Sequence, residues 1–362
     1  MISFEGWDRE YLLNVSDYQA LFGSAMSSGE DSVDRLEKSL AKIANRSFAV
    51  TCNNATDALF FSLISCGVGL GDEVLVTDFS FIATASPISM VGAIPIFCDI
   101  DLDTYHMSFE SIQRMVSDKT KAIIYTHLFG NMSDISDILN FCKERNISFI
   151  EDSAQSLGSS LNGSVAGSIG DCSSYSFNSN KVISGISGGG VFLTDDLDKA
   201  NLVRKLRRHG GNSSNFEMLG RNSKMLPFNA EVIQFRLNKM EEYQTKRQRI
   251  ASLYDELLQD SSAIIQHNIP GLNHNYHKYT IRFLDQEKRT LLMNALRNNN
   301  VSVSIHYERP LSENSMYASL PHRKDECSNS KLVSQTIMSI PIHPWLTEDE
   351  IDLILNTMII IL

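Results

Sequence analysis

The sequence contains no C-x-x-C pair. Its six cysteines, Cys52, Cys66, Cys98, Cys142, Cys172 and Cys327, are scattered. That spacing argues against a zinc site and reads as reduced thiols in a cytoplasm. There is also no apolar run of the roughly 20 residues that a membrane-spanning helix needs. The most apolar stretch, IDLILNTMIIIL at 351–362, is shorter and carries Asp352, so it reads as a helix docked on a C-terminal domain. The opening MISFEGWDRE has acidic residues and no apolar h-region, unlike a signal peptide. A cationic excess is missing as well. Against 43 Asp and Glu stand 32 Lys and Arg, a formal net charge of −11, which disfavours a nucleic-acid partner. The run Arg204-Lys205-Leu206-Arg207-Arg208 is short and reads as a solvated helix face. No internal repeat or low-complexity segment occurs.

What is present is an alternation. Strand-like runs stand at SFAVTC (47–52), EVLVTD (73–78), IPIFCDI (94–100), KAIIYTHL (121–128) and ISFIED (147–152). Helical patterns separate them: TDALFFSLISC, FIATASPISMVG, ESIQRMVSD and DISDILNFCKER. Tyr175–Phe177 and Gly190–Thr194 add two strands. Strands this apolar, spaced by helices, predict an α/β fold with a mostly parallel sheet covered on both faces. A long helix, about Asn229 to Gln259, bridges to an α+β region. That region holds strand YHKYTIRF (276–283), helix QEKRTLLMNALRN, strand VSVSIHY (301–307) and a terminal helix opened by a capping box at Thr347-Glu348-Asp349-Glu350. Ser312–Ser330 is polar and reads as a surface loop. The expected division is a large domain over 1–235 and a small C-terminal domain over 236–362.

Ligands of open α/β sheets bind outside the carboxyl ends of the strands. After the first strand, Asn53-Asn54-Ala55-Thr56-Asp57 opens a helix whose free N–H groups suit a phosphate; the plainer reading is an N-cap by Asn54 or Thr56. After the second comes Phe79-Ser80-Phe81, where an aromatic could stack on a planar ligand or simply join the core. At 151–155, Glu-Asp-Ser-Ala-Gln puts a carboxylate on a buried strand tip, where it needs a cationic partner unless Asp152 only caps a helix. Asp152 could hold a protonated ring nitrogen and Gln155 a neighbouring ring oxygen. Lys181, in YSFNSNK, could form an imine with an aldehyde, or be one more solvated lysine. Phosphate seat, aromatic platform, acid and amine together are the parts that bind pyridoxal 5'-phosphate (PLP).

With those residues in view, the chain resembles the DegT-type (DegT/DnrJ/StrS) nucleotide-sugar aminotransferases, PLP enzymes of the aspartate aminotransferase fold (fold type I), from about residue 30 to the end. GDEVLVTDFSFIATASPISMVGAIPIFCDID is similar to the family stretch whose stacking aromatic falls on Phe81. IEDSAQSLGSS resembles its E-D-x-A-Q segment, which implies Asp152 for the pyridine nitrogen and Gln155 for the ring hydroxyl. YSFNSNK resembles S-F-x-x-x-K, which implies Ser176 at the phosphate and Lys181 as the lysine that carries the cofactor. HLFGN (127–131) is similar to the H-L-[YF]-G turn. LGRNSKM (219–225) is similar to a segment whose asparagine, here Asn222, reaches the phosphate of the neighbouring subunit. SIHYERPL (304–311) implies His306 and Tyr307 near the sugar nucleotide. Departures are Ala55-Thr56 for Gly-Thr or Gly-Ser, Ser187 for a glutamate, and Asn178 for a histidine.

The resemblance implies a large PLP-binding domain and a cytoplasmic homodimer with shared active sites. It implies an amino group moved from glutamate to a keto sugar on a nucleotide. NKVISGISGG and GRNSKM favour C4 of a dTDP-4-keto-6-deoxyhexose over C3, with the product serving a surface polysaccharide such as lipopolysaccharide O-antigen or a glycosylated metabolite. Relatives that eliminate a hydroxyl carry histidine in place of the lysine, so Lys181 argues for transfer. The alternatives are a PLP-binding regulator without turnover and an NAD-dependent dehydrogenase using Gly185 to Gly190 as its phosphate loop. Arg207 and Arg221 are candidates for the glutamate carboxylate. No metal is expected.

Overall fold

The apolar runs become strands of one sheet: β1 Phe48–Cys52, β2 Glu73–Thr77, β3 Ile94–Cys98, β4 Thr120–Thr126, β5 Ser148–Asp152, β6 Cys172–Ser176 and β7 Gly190–Thr194. The computed structural model describes residues 1–212, 214–265 and 269–362. Every residue of β2, β6 and β7 is buried, as strands covered on both faces must be. Alternate side chains feed two cores. Val74, Val76 and Phe97 face one, and Leu75, Ile96 and Ile123 the other. Later in the chain come β8 Ile264–Ile265, β9 Tyr279–Arg282, β10 Arg323–Lys324 and β11 Ile337–Ile340.

The large sheet runs β1-β7-β6-β5-β4-β2-β3-β10. Only β7 opposes its neighbours, pairing antiparallel with β1 and β6; the pairs from β6 to β10 are parallel. The expected mixed, mostly parallel sheet is therefore present. β1, β2, β5 and β6 all end at one edge, and β7 begins there.

A second core forms on the antiparallel sheet β8-β9-β11 with the helices Gln286–Asn298 and Glu348–Ile361. The terminal helix starts with the expected capping box: Glu350 N donates to Thr347 Oγ1 (3.3 Å) and Thr347 N to Glu350 Oε2 (3.0 Å). Its Ile351, Ile354 and Met358 are buried in that core. Chain order does not separate the cores strictly. Ile2 packs in the second core, and β10 joins the large sheet beside β3. Among the described residues no helix is long and apolar enough to cross a membrane.

Four expectations are corrected. The helix at 229–259 is two helices, Pro227–Leu237 and Met240–Leu258. The first packs with Ile183 and Val191, the second with Ile281 and Ile340, so the break carries the chain from one core to the other. VSVSIHY is no strand; it pairs only through the isolated bridges Ile2–Val301 and Ser304–Ser339. The stretch 312–330 is not a free loop, since Tyr317 and Cys327 are buried and Ser312 Oγ donates to Asp78 Oδ2 at 3.0 Å. In the basic run, Arg207 is buried rather than solvated, and it meets Glu37 at 2.6 Å.

Candidate active site

A cavity of about 550 Å³ opens where the strand ends converge. After β1, Asn54 caps the helix Ala55–Ser65, its Oδ1 accepting from Asp57 N at 2.8 Å. The cap leaves the first amides of the helix, at Ala55 and Thr56, without helical acceptors, and both residues line the cavity. The start of β7 packs directly behind them. A Cβ on Gly190 would stand 2.4–2.5 Å from the Asn54 carbonyl and Ala55 N, so only glycine permits that approach. Ser176, at the end of β6, lines the same wall.

After β2, Phe81 stands 54% exposed on the cavity, while Phe79 is fully buried. Of the two candidate aromatics, only Phe81 is free to stack on a ligand. Its ring centre lies 6.3 Å from that of Tyr307. At the end of β5, Asp152 is 3% exposed. Its carboxylate accepts from Thr84 Oγ1 at 2.8 Å and from Ala154 N at 3.1 Å, closing a turn rather than capping a helix. Burial pushes this carboxyl up from its ordinary value. The two hydrogen bonds and the charges of Lys181 and His127 oppose the push. A ring cation beside the carboxylate would favour its ionised form and pull the value back down.

Lys181 lines the cavity from the turn between β6 and β7. Burial lowers its amine to about 8. The charge of Lys278 adds to that, and Asp152 and Glu5 oppose it. Compared with a free lysine, an amine at that value has a much larger neutral fraction near physiological pH, the state in which it attacks a carbonyl.

Gln155, His306 and Tyr307 complete the wall. Gln155 Oε1 accepts from Phe129 N at 3.0 Å, and its Nε2 donates to the Tyr307 hydroxyl at 3.1 Å. One amide N–H is left for a ligand. His306 Nδ1 contacts Ser339 Oγ at 2.9 Å. Burial, then the charges of Lys278 and Lys181, push His306 down to about 3, so it is neutral.

The structure thus brings together Ala55, Thr56, Phe81, Asp152, Gln155, Ser176, Lys181, His306 and Tyr307. Asn222 is not among them. It is exposed and outside the cavity, bridged to Arg208. Arg207 and Arg221 are also elsewhere: Arg207 donates to Glu37 and Thr51, and Arg221 meets Asp57 at 2.6 Å. Gly188–Gly190 run into a strand, not a helix, so they form no dinucleotide loop. A second cavity of about 610 Å³, between Asp34 and Arg204, contains none of the site residues.

Three residues escaped the sequence reading: Thr84, which holds Asp152; Lys278, a second lysine on the cavity and a buried one; and Asn229. Asn229 Oδ1 accepts from Ile186 N at 2.8 Å and its Nδ2 donates to Gly188 O at 2.7 Å. It staples the turn that carries Lys181. Asn229→Ala is expected to cost about 1–3 kcal/mol of stability, read by denaturant unfolding, and to weaken cofactor retention in equilibrium dialysis.

The fold and the cavity define an α/β protein of the aminotransferase class, in which Lys181, the buried acid Asp152 and the N-terminus of the helix Ala55–Ser65 line one cavity. The family model described as the DegT/DnrJ/EryC1/StrS aminotransferase family matches residues 15–359, and the chain belongs to that family. It is 31% identical over 324 residues to a pleiotropic regulatory protein of Geobacillus stearothermophilus, covering 88% of this chain and 86% of the relative. It is likewise 31% identical over 317 residues to a UDP-N-acetyl-3-dehydro-alpha-D-glucosamine 3-aminotransferase of Acidithiobacillus ferrooxidans, covering 87% and 85%. A Streptococcus pneumoniae protein solved in its PLP form shares the fold at a TM-score of 0.85, with 25% identity over 91% of both chains.

Proposed function

We propose that this protein is a PLP-dependent aminotransferase that moves an amino group from glutamate to a ketone of a nucleotide-linked sugar. The observation that carries this reading is Lys181, its amine lowered to about 8, sharing a cavity with the buried carboxylate of Asp152. The donor set fits the cofactor. Ala55, Thr56 and Ser176 would hold its phosphate, Phe81 its ring face, Asp152 its ring nitrogen and Gln155 its hydroxyl side. When bound, PLP supplies the carbonyl and the electron sink.

The chain's own residues do the rest. Lys181 Nζ takes the proton from the carbon that bears the donor's amine and returns a proton to complete the transfer. Asp152 would balance a positive ring nitrogen, which in turn would favour its ionised form. Neutral His306 and Tyr307 offer hydrogen bonds to an uncharged sugar. Asn222, exposed on one chain, supports a homodimer in which it serves the neighbouring site.

Within this class, NKVISGISGG and GRNSKM favour C4 of a dTDP-4-keto-6-deoxyhexose. The C3 chemistry in the Acidithiobacillus relative's name makes 3-keto sugars the counter-test. The purified protein should be yellow, and glutamate should bleach it and release 2-oxoglutarate. A panel of 3-keto and 4-keto UDP, GDP and dTDP sugars, read by product NMR, should then give one amino sugar. A yellow protein inert to glutamate and to every keto sugar would point instead to a regulator without turnover, and would overturn the proposal.

A further inference from the structure

The buried cations around the cavity floor do not all have counter-ions. Lys278 lines the cavity at 4% exposure. Its Nζ donates to Glu5 Oε1 at 2.7 Å and lies 4.5 Å from the centre of the Phe4 ring. Arg247 is buried nearby. Its guanidinium donates to the carbonyls of Tyr276 and Ile342 at 3.1 and 2.9 Å, neither of which carries charge. Burial lowers Arg247 to about 10, and Glu5 is the carboxylate that opposes this. Glu5 faces Lys278, Arg247 and Lys181 together, whereas Lys181 also has Asp152.

Among these groups, then, two cations, Lys278 and Arg247, share one carboxylate. A buried charge without a partner of its own is costly; of the two, Arg247 lies behind the lining and Lys278 borders the cavity. An ammonium has three N–H donors, and Glu5 takes one of them. The nature of the anion follows from position. Lys278 stands beside Lys181 and His306, at the reacting end of the cavity. The reacting end of a keto sugar is uncharged, with the nucleotide phosphates beyond the ring. An acidic amino donor carries carboxylates within a few bonds of its amine.

We propose that Lys278 recognises a carboxylate of the amino donor, with Glu5 and the Phe4 ring aiming its ammonium and Arg247 giving the subsite its excess positive charge. The proposal rests on the reading of the site as an acidic-donor aminotransferase. It names a specificity residue that neither Arg207 nor Arg221 can replace, because neither lines the cavity.

The test measures the two half-reactions separately on PLP-loaded wild type and Lys278→Met. Bleaching of the wild type by glutamate establishes the underlying reading; its failure would sink that reading, not this assignment alone. Given bleaching, Lys278→Met should raise the glutamate concentration for half-maximal rate by about 10- to 100-fold. The reverse half-reaction with the amino-sugar product, which lacks a carboxylate at the reacting end, should stay within about threefold. Lys278→Arg should recover most of the loss. Cofactor absorbance checks that the variant is folded and loaded. Should Lys278→Met fail to fold, Lys278→Gln is read in its place. An unchanged glutamate dependence, or equal loss in both half-reactions, overturns the proposal. The first outcome leaves Lys278 a structural partner of Glu5, and the second makes it a residue acting on Lys181.

Discussion

Replacing Lys181 with alanine is expected to lower amino transfer by at least about 10³-fold. Borohydride reduction of the wild type followed by peptide mapping should place the pyridoxyl group on Lys181, and the variant should give no labelled peptide. The physical reason is the state of its amine. Burial comes first and the neighbouring Lys278 charge second in bringing it to about 8, against about 10.4 for a free lysine. Both effects disfavour the charged form, so the neutral fraction rises with pH and passes one half near 8. Loading of cofactor-free protein with PLP, followed by absorbance, should therefore quicken with pH and level off above about 8. A rate that keeps climbing to pH 10, or a variant with near-normal turnover, would remove Lys181 from its assigned role.

The second large effect is expected at Asp152. Asp152→Asn keeps the shape of the side chain and an oxygen to accept from Thr84 or Ala154, but it removes the charge. A buried cation that loses its carboxylate is left uncompensated, at a cost of about 3–5 kcal/mol. Catalytic efficiency in the glutamate half-reaction should fall by about 100- to 1000-fold, with the fold intact by circular dichroism. The same change at Glu151, one residue earlier, acts elsewhere. Glu151 accepts from Gly167 N and Ile169 N at 2.6 and 2.9 Å and lies away from the cavity. Activity of Asp152→Asn within a few-fold of wild type would show that the acid does not face a cation during the reaction.

The strands of the large sheet were legible because parallel strands buried on both faces read as short apolar runs. The observed β1–β5 and β7 fall within a residue or two of those runs, and β6 lies a few residues ahead of the expected Tyr175–Phe177. Nine of the ten site residues expected from strand ends and family resemblance line one cavity, since open α/β sheets put ligands at that edge. Other features had no local signature. Lys278 lies in a stretch that reads as an alternating strand, where a lysine would face solvent; the N-terminal Phe4 and Glu5, far away in sequence, pack against it instead. Asn229 looks like an ordinary helical polar residue until the turn 185–189 folds against it. The break at Asn238-Lys239 carries neither glycine nor proline, and it follows from the need to reach a second core. VSVSIHY alternates as a strand should, yet its partners offer only single bridges.

The turn bearing Lys181 leaves and re-enters the sheet through adjacent strands. Ser176 faces Gly190 in register, and Phe177 N donates to Gly189 O at 2.9 Å across the neck. With Val182 and Ile183 also buried, the backbone there has little freedom, and the amine travels only as far as its own four methylenes swing. Whatever gives up the nitrogen and whatever receives it must therefore come to the same small region, one after the other. The spent donor has to depart before the sugar can take its place.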